Sequence, residues 1–214
     1  MMRVAKAFGL VLILFLAVYL PAFAMVGGLK LSLPFAVPLI IVITLTLAVT
    51  YIAFLSRREG GFQAYGFRSA EWRYVLWAIV LALILGVPLT WGAQRLATGN
   101  PFGGAHFRLW MLALYFPVAA AFQEEVIFRG LLQTFLSRRM SKALRLPRDI
   151  LAVPVVAIAL LFGVIHAGFG AFTMFSAVVL GLLAGELRQR SGSLLPPIIV
   201  HAIFNGASLF WMLA

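Results

Sequence analysis

Apolar residues in this chain come in long unbroken runs, with polar residues gathered in the short stretches between them. Run length and punctuation predict seven helical spans, at about 7–26, 34–55, 74–93, 109–136, 150–169, 171–188 and 194–213. Each approaches the roughly 20 apolar residues a helix needs to cross a hydrocarbon core. Period-3.6 amphipathicity says little here, because lipid-facing and buried helix faces are both apolar. Gly27-Gly28, Gly60-Gly61, Gly99-Asn100-Pro101 and Ser191-Gly192-Ser193 fall in the gaps, as turn formers should. The interior prolines Pro88, Pro117 and Pro154 are compatible with membrane helices, where neighbours re-satisfy freed carbonyls. The predicted fold is therefore all-α: a polytopic transmembrane helical bundle forming one integral membrane domain over residues 1–214. Gly181 and Gly185 add a small-xxx-small pair, a helix-packing signal, in the sixth span.

Charge fixes the expected orientation. With the N-terminus inside, the inner segments carry Arg3 and Lys6; Arg57, Arg58, Arg68 and Arg73; Arg138, Arg139, Lys142, Arg145 and Arg148; and Arg188 and Arg190. The outer segments carry Lys30, Arg95 and Arg108. That asymmetry predicts N-inside, C-outside. It also accounts for the net charge of +11 without nucleic acid, since the basic connectors lack the aromatic interleaving of a nucleic-acid platform. Arg3, Lys6, an apolar stretch and Ala22-Phe23-Ala24 resemble a secretory signal with its cleavage site. The run is long for a signal, so the first span is expected to be retained. Trp72, Trp77, Trp91, Trp110 and Trp211 lie mostly near span ends, as an aromatic belt would.

With 64% hydrophobic and 11% charged residues, the ionisable groups inside the spans are the informative ones. A charge at the bilayer centre costs about 2.5–3.5 kcal/mol on insertion scales and usually marks function. Glu124, Glu125 and Arg129 fall in the fourth span. Glu125 and Arg129 are four apart, hence within ion-pair reach on one face. Glu124 points about 100° away and has no local partner, which makes it the catalytic candidate. His166 lies in the fifth span, and His201 in the seventh with Asn205 one turn beyond. A single such histidine could be a satisfied interhelical hydrogen bond. A glutamate, two histidines and an asparagine on three spans imply a shared polar pocket. Glu186 reads as an ion pair with Arg190, His106 as solvated, and Thr44, Thr46, Thr50 and Thr173 as bonded to their own helices.

Peptide hydrolysis needs an activated water, donors for the oxyanion and a proton for the leaving amine. A glutamate in an apolar pocket is a capable base near neutral pH, and histidine and asparagine can share water or donate to an oxyanion. Alternatively Glu124, His166 and His201 could ligate zinc, as two histidines and a carboxylate do in known catalytic sites; no HExxH spacing supports that set. The absence of cysteine removes thiol chemistry and thiolate metal sites. Ser176 and Ser208 lack an elbow-like setting for serine chemistry.

Glu124-Glu125-x-x-x-Arg129, Phe162-x-x-x-His166 and His201-x-x-x-Asn205, in that order on successive helices, together with Ser191-Gly192-Ser193-Leu194, resemble the CAAX-processing and bacteriocin-processing membrane protease family, also called the Abi family. The resemblance covers about 109–213 as a catalytic core, leaving 1–108 as three additional N-terminal spans. It implies an intramembrane endopeptidase in which Glu124 activates water and His166 assists. It further implies that His201 and Asn205 stabilise the oxyanion, with Glu125, Arg129 and Phe162 as structural support. Both a zinc and a metal-free glutamate mechanism stay open. The implied partners are membrane lipids and a peptide or protein substrate, lipidated or not, at a bacterial cell membrane. Two other functions fit the same residues: a non-catalytic scaffold or bacteriocin self-immunity protein, and a small proton-coupled transporter, although no inverted repeat is visible.

The seven spans carry one internal tension. His166 lies near the outer end of its span and His201 nearer the inner end of its own, a depth mismatch of about 10 Å at 1.5 Å per residue. A common pocket requires the fifth span to run further, or helices to be tilted or broken at the site.

Overall fold

The computed structural model describes residues 2–96, 107–140 and 152–214, with side chains from Ala5 onward. Gly99-Asn100-Pro101, His106, Lys142, Arg145 and Arg148, and the side chain of Arg3, lie outside the described residues. The chain is a polytopic helical bundle. Among the described residues, six helices are long and apolar enough to cross a membrane: α1 from Met2–Leu29, α2 Leu33–Ser56, α3 Trp72–Leu96, α4 Leu109–Arg139, and, after a shorter apolar helix, α6 Ala171–Ser191 and α7 Leu195–Leu213. The shorter one is α5, Val153–Ile165.

Helix ends follow local chemistry. Prolines occupy the first turn of α2, α5 and α7, where an N–H has no intrahelical partner to lose. Pro154 is thus a helix starter and not an interior proline. Gly170 (φ 107°) and Gly192 (φ 67°) supply the positive φ that lets the chain turn into α6 and out of it. The predicted fifth span, 150–169, is longer than the helix found. α5 stops at Ile165, His166 terminates it, and a single tight turn, Ala167–Phe169, leads to Gly170.

Two long helices are widened to i→i+5 hydrogen bonding: α3 over Ala82–Gly86 and α4 over Tyr115–Ala120 and Val126–Gln133. Pro88 and Pro117 sit just after or within such stretches, which re-register the helix where a proline removes a donor. In the second stretch of α4 the Thr134 hydroxyl donates to the Arg129 carbonyl (3.1 Å).

α4 runs through the middle of the bundle, and every residue from Val126 to Leu136 is buried. α5 and α6 pack closely. A Cβ on Gly181 would come within 2.8 Å of the Ala159 backbone, and one on Gly185 within 2.8 Å of Val155. A Cβ on Gly163 would meet Val178 at 2.3 Å. The small residues on both helices let the backbones approach, as they do where no hydrophobic drive separates helix from lipid.

The basic ends of α2, α4 and α6 meet at one end of the bundle. Glu59 accepts from the Tyr65 hydroxyl and lies 3.6 Å from both Arg138 and Arg139. Burial and this carboxylate push the Tyr65 phenol above its ordinary pKa, so it stays a donor. The Leu194 amide donates to the Gly66 carbonyl (2.9 Å), the Ser193 hydroxyl to Arg68 O, and Arg188 to Ala64 O. Glu186 pairs with Arg190 as the sequence suggests, and Thr44, Thr46, Thr50 and Thr173 each bond a carbonyl four residues back.

Substituting Gly181 by Val should lower the melting temperature in detergent through overpacking worth about 1–3 kcal/mol. Gly27→Ala, which meets open space, should leave it unchanged. Equal melting of the two variants would contradict the close α5–α6 approach.

Candidate active site

Glu124 and Glu125 sit on the short regular segment Ala121–Glu125 between the two widened stretches of α4. Their side chains diverge as the helical turn requires. Glu125 is fully buried and pairs with Arg129 at 2.7 Å, both side chains 0% exposed. Arg129 also donates to the Gly181 carbonyl of α6 (3.2 Å) and lies over the Phe162 ring, 4.9 Å from its centroid. The buried ion pair therefore ties α4 to α5 and α6.

The same carboxylate reaches α7. Glu125 Oε1 lies 2.7 Å from His201 Nδ1, and His201 is 2% exposed. An Nδ1–H donated to Glu125 orients the ring so that Nε2 points at Glu124, with Nε2 and Oε2 3.7 Å apart. Glu124, 21% exposed, is the member of the acidic pair that faces open space. That space is a cavity of about 550 Å³ lined by Glu124, His166, His201 and Asn205, with phenylalanines, isoleucines and Tyr19 around them. Its size falls in the range of ligand-binding clefts.

Despite the depth mismatch expected from the seven spans, His166 and His201 line the same cavity. His166 is the residue that terminates the helix, and its Nδ1 is 2.7 Å from the Phe162 carbonyl. Donation there leaves Nε2 as the ring nitrogen without that tie. Phe162 sits between the histidines, with ring centroids 4.7 Å from His166 and 5.6 Å from His201. Asn205 Nδ2 donates to the Phe116 carbonyl in the widened part of α4 (2.9 Å), which uses one of its two N–H groups. The structure thus gathers Glu124, His166, His201 and Asn205 around one cavity, with Glu125, Arg129 and Phe162 packed behind them.

Sequence reasoning missed a second layer. Gln123, buried beside Glu124, donates to the Thr44 hydroxyl of α2 (3.0 Å) and lies 3.4 Å from the Tyr19 hydroxyl of α1. These contacts hold the N-terminal helices against the glutamate-bearing turn. A glutamine next to Glu124 in mid-span was the available signal, since an amide in lipid needs partners. Gln133 does the same one level away, donating to the Gly185 carbonyl (3.0 Å).

Among the described residues, no three His, Asp or Glu side chains are grouped closely enough to hold one metal ion. Glu124 and His201 are neighbours, and the contacts of His201 Nδ1 and His166 Nδ1 with protein oxygens leave Nε2 of each ring outside those bonds.

A buried ionisable cluster beside a cavity inside a bundle of apolar helices marks a functional site. The model of the family described as Rce1-like, type II CAAX prenyl endopeptidase Rce1-like, matches residues 105–207, a segment that holds all the residues just named from Phe116 through Asn205. Through that segment, just under half of its length, the chain is similar to the type II CAAX prenyl endopeptidase family. No curated protein and no solved structure matches it.

Removing one partner of the buried pair leaves an uncompensated charge, so Arg129→Met should destabilise the protein by about 3–5 kcal/mol. Adding Glu125→Leu to it should restore much of the melting temperature, because an apolar pair can replace a buried ionic one. Thermal unfolding of the three proteins in one detergent checks this. Equal stability of the wild type and Arg129→Met would rule out a buried charge pair.

Proposed function

We propose that the protein is an intramembrane endopeptidase that hydrolyses peptide bonds with a water activated by Glu124. The observation that carries this reading is the pairing of Glu124 with His201 at the cavity wall while Glu125 and Arg129 neutralise each other behind them. One carboxylate is committed to structure and the other is free for proton transfer.

In this reading a water between Glu124 and the scissile carbonyl gives its proton to the carboxylate as its oxygen bonds to carbon. His166 Nε2 accepts a hydrogen bond from the same water, its tautomer set by Phe162 O. The carbonyl oxygen becomes an oxyanion. The second N–H of Asn205 donates to it, with the His201 ring, held by Glu125 through Nδ1, beside it. When the carbon–nitrogen bond breaks, the proton on Glu124 passes to the leaving amine. The carboxylate is then regenerated.

The cavity walls suit a peptide with apolar or lipid-modified side chains, as in CAAX-type processing or bacteriocin maturation. The cell membrane of a bacterium is the setting this reading assigns. Wild type and Glu124→Gln, purified in detergent and incubated with a library of plain and lipidated peptides, test the reading by mass spectrometry. Glu124→Gln should lose at least about 10²-fold in rate, the scale of general base catalysis. Asn205→Leu should lower kcat by about 10²–10³ with KM little changed, as removal of an oxyanion donor does. Equal product from wild type and Glu124→Gln would favour a non-catalytic scaffold or immunity protein.

A further inference from the structure

Every helix contributes to the cavity from the same end. α1 offers Phe15, Tyr19 and Phe23, and α2 the residues from Leu33 to Ile41; α3 gives only Ala93 and Gln94. From α4 come residues on the N-terminal side of Glu125; from α6 comes Thr173; from α7 come His201 onward. Because the helices alternate in direction, these positions all lie in the half of the bundle remote from the Arg138, Arg139, Arg188 and Arg68 cluster.

Among the described residues, the other half is packed. Below Glu124 stand the buried Glu125–Arg129 pair, Phe128, Leu131 and Leu132, then Gln133 bonded to Gly185 O. Beyond them the Gly66–Leu194 and Arg68–Ser193 hydrogen bonds close the bundle with the arginine-rich segments. Between the cavity and that face the described residues leave a packed layer.

The two ends also differ in charge. Among the described residues, the cavity end carries Lys30, Arg95 and Arg108 at its rim, whereas the packed end carries Arg57, Arg58, Arg68, Arg73, Arg138, Arg139, Arg188 and Arg190. Short basic connectors stay on the cytoplasmic side.

We infer that the catalytic cavity opens away from the cytoplasm, and that its substrate is an apolar segment of an exported or outward-facing peptide. The topological half of this inference stands on packing and charge; the word substrate rests on the protease reading. A cytoplasmic protein carrying a lipidated C-terminus would meet the packed face. An exported peptide meets the open one, with its backbone led toward Glu124 between phenylalanine and isoleucine walls.

The chain has no cysteine, so single cysteines report sidedness directly. Ser32→Cys lies between α1 and α2 at the cavity end, Thr173→Cys at the cavity wall, and Ser69→Cys at the packed end. Intact spheroplasts of bacteria expressing each variant are treated with a membrane-impermeant maleimide, before and after lysis. Ser32→Cys and Thr173→Cys should label in intact spheroplasts, and Ser69→Cys only once the membrane is opened. Labelling of Ser69→Cys alone from outside would overturn the inference. Labelling of Ser32→Cys without Thr173→Cys would overturn the open cavity while keeping the orientation.

A peptide cleaved by the detergent-purified wild type is then offered to right-side-out and to inverted vesicles. Cleavage confined to right-side-out vesicles supports the outward site, and cleavage confined to inverted ones overturns it with the protease reading intact. Failure of the purified protein to cleave any peptide sinks that reading, while the maleimide result still decides which way the cavity faces.

Discussion

A single carboxylate, Glu125, holds the bundle and the site in register. It is fully buried, and its Oε1 receives both Arg129 from the next turn of its own helix and His201 from α7. In lipid neither water nor a shift to the surface can relieve an unpaired charge, so those three side chains must meet for the helices to settle. Arg129 extends the tie to the Gly181 carbonyl and the Phe162 ring. The catalytic candidates are consequences of this knot: His201 is turned toward Glu124 because its other nitrogen is taken. Glu124 is available because its neighbour is not.

Much of this was legible in the chain. Run length located the spans because lipid forces helix on any crossing segment. The Glu125–Arg129 spacing announced an ion pair because i,i+4 geometry is local. Gly181 and Gly185 announced a close helix contact, and the structure places Ala159 and Val155 against them. The four polar residues of the site stood out because each is costly in hydrocarbon.

The remainder depended on contacts that no local pattern encodes. That His201 would bind Glu125, and not simply stand beside Asn205, follows only from how α7 lies against α4. The partnership of Gln123 with Thr44 and Tyr19 joins residues far apart in sequence. Thr44 satisfied its own helix as expected, yet it also accepts from Gln123, which a reading confined to one helix could not supply. α5 ends earlier than run length predicts because Ala167 to Phe169 are as compatible with helix as what precedes them. His166 instead ends the helix, and Gly170 turns the chain.

The brevity of α5 has a consequence for the membrane itself. Its 13 residues span roughly 20 Å at 1.5 Å per residue, against a hydrocarbon thickness of about 30 Å. Leu160, Val164 and Ile165 on it are exposed, so lipid lies directly against this helix. Acyl chains beside a segment that short must compress or tilt, drawing head groups inward. Thinning of the bilayer next to the helix that ends at His166 would shorten the path of water to the polar cluster around Glu124.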